Sequence, residues 1–132
     1  MNFHRLSSAA LLLLTGCCLL GSPSQDTGTI DTLGDLKSQV EKVYKTFKTD
    51  SPNKTQIASV REQFETLQKR EDVKSCNEIQ SGQIKKCREM FEGHVKQRDT
   101  GAAWTNAHYQ NNLENMTAAL DLAIDTERNK GP

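Results

Sequence analysis

The 132-residue chain carries 17 Lys+Arg and 17 Asp+Glu, so it is uncharged overall at neutral pH with its histidines neutral. That balance excludes an electrostatic claim on nucleic acid or an anionic membrane surface, because affinity for a polyanion needs a surplus of cations. With 35% hydrophobic residues and a mean hydropathy of −0.68, the chain suits one small polar domain with a narrow core, and a second domain has no room.

The amino-terminal stretch reads as an address. Arg5 is the only charge before an apolar run, Ala9 to Leu20, of 12 residues, whereas a membrane-spanning helix needs about 20. A basic start, a short apolar centre and a small-residue exit make an export signal rather than an anchor. Within it, Leu14-Thr15-Gly16-Cys17 resembles the lipobox of bacterial lipoproteins. The resemblance implies a cut before Cys17, diacylglycerol on its thiol, and attachment through acyl chains that each contribute about 0.8 kcal/mol per buried CH₂. It also implies the outer membrane as destination, because Cys18 rather than aspartate follows the lipidated position.

The alternative is an ordinary cut after Ser22-Pro23-Ser24, giving a freely secreted chain that begins at Gln25. The expected layout is therefore a signal at 1–16 (alternatively 1–24), a tether at 17–30, a helical domain at 31–128 and a frayed end at 129–132. Losing Arg5 with the signal leaves 16 cations against 17 anions.

From a cap at Asp31, Leu33, Leu36, Val40, Val43 and Phe47 recur at three- and four-residue intervals and predict an amphipathic helix that ends before Thr49. Ser51 then reads as a cap with Pro52 at the first helical position. Ile57, Val60, Phe64 and Leu67 predict a second helix, antiparallel to the first because the linker is short. Past Leu67, Glu71 and Lys74 fall where apolar residues are due, and Val73, Cys76 and Ile79 form a displaced stripe, which predicts a kink or restart.

Two of the four cysteines lie in the signal region, so export leaves Cys76 and Cys87, plus Cys17 and Cys18 if the lipobox is used, and in an oxidising compartment Cys76 and Cys87 are expected to pair. On one continuous helix their Cα atoms would stand about 16 Å apart, against a disulfide reach of roughly 4.4 to 6.8 Å. A Cys76–Cys87 bridge therefore requires a reversal, and Ser81-Gly82 supplies turn chemistry midway. The competing reading takes Ser75-Cys76-Asn77-Glu78 as a capping box that starts one helix running through Gly82.

Ile84, Cys87, Phe91 and His94 or Val95 predict a third helix to about Arg98. Asp99-Thr100-Gly101 breaks it, and Tyr109, Leu113, Met116, Leu120 and Ala123 predict a fourth to about Glu127, with Trp104 as a core plug near its start. No segment alternates with period two. The expected fold is all-α, a small antiparallel bundle of about four helices with one intrachain disulfide.

Little in the sequence speaks of chemistry. No catalytic motif is present, and His94 and His108 would need Glu92 or Asp99 beside them to hold a metal. The expectation is no enzyme, no metal and no cofactor. Lys85-Lys86-Arg88 reads as a solvated face. Asn53-Lys54-Thr55 and Asn115-Met116-Thr117 are glycosylation sequons that matter only in a eukaryotic secretory pathway, where Asn53 is the exposed candidate. These residues lead to an outer-membrane, periplasm-facing lipoprotein that binds a protein partner as an adaptor or assembly or exclusion accessory. The alternative is a secreted eukaryotic helical ligand glycosylated at Asn53.

Overall fold

Three of the four helices start where a side-chain oxygen accepts a backbone proton: Asp26 from the Thr29 N–H, Asn53 from the Gln56 N–H and Thr105 from the His108 N–H. Such caps satisfy donors that a first helical turn leaves open. The computed structural model describes residues 23–131. Among them the chain forms α1 Thr27–Thr46, α2 Lys54–Asp72, α3 Glu78–Thr100 and α4 Asn106–Arg128. Each helix packs on its neighbours in sequence and α4 closes back on α1, while the backbones of the diagonal pairs stay apart. The result is an up-down four-helix bundle, all-α as expected.

The stripes read from the sequence form the core. Leu33, Leu36, Val40, Val43 and Phe47 of α1 and its cap meet Ile57, Val60, Phe64 and Leu67 of α2, Ile84, Cys87, Phe91 and Val95 of α3, and Met116, Leu120 and Ala123 of α4. Burying each large apolar side chain contributes roughly 1.5 to 3 kcal/mol, so the stripes supply the main stabilisation of helices whose exposed faces are strongly polar.

Several boundaries differ from expectation. Asp26 caps α1, so the helix starts before Asp31. Asn53 rather than Ser51 caps α2, and its backbone N–H donates to Thr46 Oγ1 at 3.1 Å, tying the linker to the end of α1. Helix α2 does not kink after Leu67: Glu71 stays on the buried stripe, 0% exposed, and the break comes between Val73 and Asn77. Val73 and Ile79, taken as a displaced stripe, are instead 82% and 73% exposed.

Helix α3 runs through Ser81-Gly82 without a reversal, and Cys87 is a free thiol packed in the core. The bridge expected between Cys76 and Cys87 is therefore not formed. The physical reason is the competing reading: one helix faces Ile84, Cys87, Phe91 and Val95 inward together, and its rise carries Cys87 away from Cys76. The helix start differs from that reading too, since α3 is flanked by Asn77 with no side-chain cap hydrogen bond. Residues 129–131, expected to fray, are held in place. Lys130 Nζ donates to Asn77 Oδ1 at 2.6 Å and to Glu127 Oε2 at 2.5 Å, and Gly131 O accepts from the Gln25 N–H at 3.3 Å.

Candidate functional site

The two ends of the bundle are built from different materials. At the end that gathers both described termini and the α2–α3 turn, the four buried stripes finish in polar residues: Thr29, Glu71, Asn77 and Glu127. They close a ring. Glu71 Oε1 accepts from Thr29 Oγ1 at 2.6 Å and Lys74 Nζ at 2.7 Å, and Oε2 accepts from Asn77 Nδ2 at 2.8 Å. Lys74 also reaches Asp26 Oδ2 at 2.7 Å, and the Asp26 N–H donates to Glu127 Oε1 at 2.8 Å.

Burial alone would raise the Glu71 carboxyl, but hydrogen bonds from Lys74, Thr29 and Asn77 and the Lys74 charge outweigh it and hold it below its ordinary range. Asp26 is lowered to about 2, chiefly by the Lys74 hydrogen bond, with its cap on Thr29 adding to the effect. Each carboxylate already has its partners, so the ring is a clamp joining all four helices rather than an open reaction site.

The opposite end is aromatic. Trp104, 4% exposed, stands edge-on to Tyr44, Phe47 and His94 and stacks on His108 at 4.9 Å between ring centroids. Its backbone N–H donates to Phe47 O at 2.8 Å, which knits the α3–α4 linker to the end of α1. Trp104 is thus the plug read from the sequence, and its Nε1 has no acceptor among the described residues.

Tyr44 Oη lies 2.5 Å from His94 Nδ1. Burial raises the phenol, and burial, followed by the neighbouring His108, lowers His94. The stable pairing is therefore a phenol O–H donating to a neutral imidazole. Arg98, 7% exposed, donates to Phe47 O at 3.0 Å, Thr49 O at 2.7 Å and Gly101 O at 3.1 Å, covering carbonyls at the ends of both linkers. Sequence reasoning gave Arg98 no role; its position on the Ile84-Cys87-Phe91-Val95 stripe was the available signal.

The other candidate residues are dispersed. His94 and His108 do meet through Trp104, but Glu92 turns to Arg61 in a two-pronged ion pair at 2.7 to 3.0 Å, and Asp99 is exposed. Among the described residues no three His, Cys, Asp or Glu side chains are grouped to hold a metal ion. Lys85 and Lys86 are exposed and Arg88 half-buried. Asn53 is exposed at its cap, and Asn115 is exposed as well although Met116 beside it is in the core.

Burial pushes the Cys87 thiol up to about 11, which removes its nucleophilic form at neutral pH. Cys76 is half-buried just before α3, with φ 57°, and is disulfide-bonded. The lipidation candidate Cys17 and the signal at 1–16 lie outside the described residues.

Compared with protein-family models, curated proteins and solved structures, the chain matches none. Its surface offers two grooves of note. One, of about 330 Å³ between α1 and α2, has Val43 and Val60 in its wall, rimmed by Gln39, Lys42, Gln56 and Ser59. Gln56 Oε1 is buried there with no hydrogen-bond donor among the described residues. The other, of about 420 Å³, lies between the start of α3 and the end of α4. No described helix is long and apolar enough to cross a membrane.

Proposed function

We propose that the protein is a lipid-tethered helical adaptor of the bacterial envelope, attached through Cys17 to the outer membrane, facing the periplasm, and acting by binding a protein partner. The observation that carries this reading is Leu14-Thr15-Gly16-Cys17 placed at the end of a short apolar signal. Small residues before the cut let the chain lie extended in a peptidase cleft, and the cysteine sulfur is the nucleophile that takes the lipid. Helix α1 starts at Thr27, soon after Cys17. A bundle on so short a leash is held at high effective concentration beside whatever assembles at the bilayer, and it needs no active site to act there.

The α1–α2 groove suits a partner's helix, with a valine wall for an apolar face and the unmet Gln56 Oε1 for a donor. The α4 surface adds Leu122, 58% exposed. The intact mass of the membrane-extracted protein tests the tether: the expected chain begins at Cys17 and carries diacylglycerol. Cys17→Ser should leave an unprocessed precursor, and normal maturation and fractionation of that variant would sink the reading. Crosslinking in native membranes through a photoreactive residue at position 56 should then recover one protein partner.

The second reading, a freely secreted eukaryotic ligand, draws on the exposure of Asn53, whose Oδ1 caps α2. A product that begins at Gln25 and carries hexose mass at Asn53 would favour it.

A further inference from the structure

The plug at the aromatic end is held by rings more than by hydrogen bonds. Trp104 is the only tryptophan in the chain, and its indole N–H finds no acceptor among the described residues. The residue is fastened by its backbone N–H to Phe47 O and by contact with the rings of Tyr44, Phe47, His94 and His108. Two of those rings can take up a proton.

His94 is the one that a proton disturbs. Its Nδ1 accepts from the Tyr44 phenol at 2.5 Å, and that hydroxyl, on a side chain with no exposed surface, has no second partner among the described residues. A protonated imidazole carries hydrogen on both nitrogens and can only donate. Either two donors then face each other, or Tyr44 turns acceptor and leaves its own O–H unpaired in the interior, which is costly. Turning the half-buried His94 out to water avoids both, and withdraws it from Trp104.

The surroundings give the cation no relief. Tyr44 faces it from α1, His108 from α4, and Arg98, one turn along α3, is committed to the linker carbonyls. From α2, Arg61 is paired with Glu92, and Lys48, just past α1, lies over the Tyr109 ring. A charge on His108 opposes one on His94, and no carboxylate among the described residues counters it.

The two ends of the bundle therefore answer to different acidity. The polar ring rests on carboxylates that stay ionised well into acid, Glu71 below its ordinary range and Asp26 down to about 2. The aromatic end depends on an imidazole that stays neutral. We propose that this end is an acid-released latch: His94 takes a proton from solvent and leaves Tyr44, and Trp104 comes off the bundle with the 101–105 linker. The aromatic surface of Tyr44 and Phe47 is bared while the four helices stay clamped at the other pole. Release is favoured as pH falls below 6.5, the ordinary value to which a freed imidazole returns. The device needs neither lipid nor partner, so it stands or falls apart from the tethered reading.

The test follows Trp104 fluorescence in the purified full protein between about pH 7.5 and pH 5, with acrylamide as quencher and helical circular dichroism on the same samples. Released, Trp104 should be quenched at least about threefold more steeply at the acid end, with the helix signal unchanged. Equal quenching across the range, or quenching that rises only as helix is lost, would overturn the latch. His94→Gln keeps an acceptor for the phenol and takes no charge, so its quenching should stay at the parent's neutral level; a parent-like rise would sink the proposal. Tyr44→Phe covers the case in which that variant fails to fold. Without the phenol proton to favour a neutral ring, the His94 midpoint in imidazole proton NMR should move up toward 6.5, and an unmoved midpoint would overturn the coupling.

Discussion

Replacing Glu71 by alanine removes the acid at the centre of the polar ring. In the parent, Glu71 is buried and accepts from Thr29, Lys74 and Asn77, with Arg70 Nε at 3.3 Å beside it. Alanine leaves the buried Thr29 hydroxyl without its acceptor and Lys74 with Asp26 as its remaining carboxylate. Breaking a buried charge pair from one side costs about 3 to 5 kcal/mol. The lower end applies, because the Lys74 side chain is 25% exposed and keeps its second carboxylate.

With a urea dependence of about 1.5 kcal/mol per molar for a domain of this size, a loss of about 3 kcal/mol lowers the unfolding midpoint by about 2 M. Urea titration of the purified protein, followed by helical circular dichroism at pH 7, reads this directly. Glu71→Gln keeps the volume and one acceptor oxygen and should fall between parent and alanine. Glu65→Ala, which removes only an exposed partner of Lys69, should leave the midpoint where it is.

The sign with pH is fixed by the lowered carboxyl. Glu71 contributes its stability above its ordinary value of 4.5 and loses it as pH falls through the depressed folded value. The gap between parent and Glu71→Ala must therefore narrow below pH 4.5. A midpoint shift under about 0.5 M at pH 7, or a gap that stays constant into acid, would refute the reasoning.

Gly82→Ala separates the continuous helix from a turn: an added Cβ meets nothing within 4 Å, so the variant should gain about 0.5 to 1 kcal/mol in thermal or urea unfolding, whereas a glycine-dependent reversal would be damaged. Arg98→Met takes a donor from three carbonyls at the linker ends, of which Phe47 O keeps the Trp104 N–H, and should cost about 2 kcal/mol, measured by the same titration. Parent stability should start to decline as pH falls below 6.5, because His94 is neutral in the fold and protonates more readily once unfolded; His94→Gln should remove that limb of the pH profile. Cys87 should resist alkylation at pH 7 in the native protein and label fully in denaturant; rapid native labelling would contradict its burial.

The four-helix arrangement was legible because its apolar stripes keep a 3.6-residue period, and Phe64, Phe91 and Leu120 sit where that period puts them. What escaped was polar. A charged residue on a stripe reads as the end of the stripe, yet Glu71 and Arg98 continue theirs into the interior because partners from distant segments wait there, the Thr29 hydroxyl for one and the Phe47 and Thr49 carbonyls for the other. The spacing within one helix carries no record of those partners. The same limit hid Lys130, which looks like a loose tail until Asn77 and Glu127 are placed beside it. Choosing between Ser51 and Asn53 as a cap fails for a smaller reason: both side chains serve, and the Thr46 hydroxyl decides by holding the Asn53 backbone. Of the candidate chemistry, the burial of Cys87 was read correctly from its stripe, and its free state was not.

An even number of antiparallel rods brings the first and last of them home to one pole. Here the Gln25–Gly131 contact makes that return literal. If lipid holds the start of the chain, a reporter fused to its finish is pressed toward the bilayer as well, and it will crowd whatever docks nearby. The linkers at 47–53 and 101–105 stand a helix length away. Labels meant to watch this molecule at work belong on that far side.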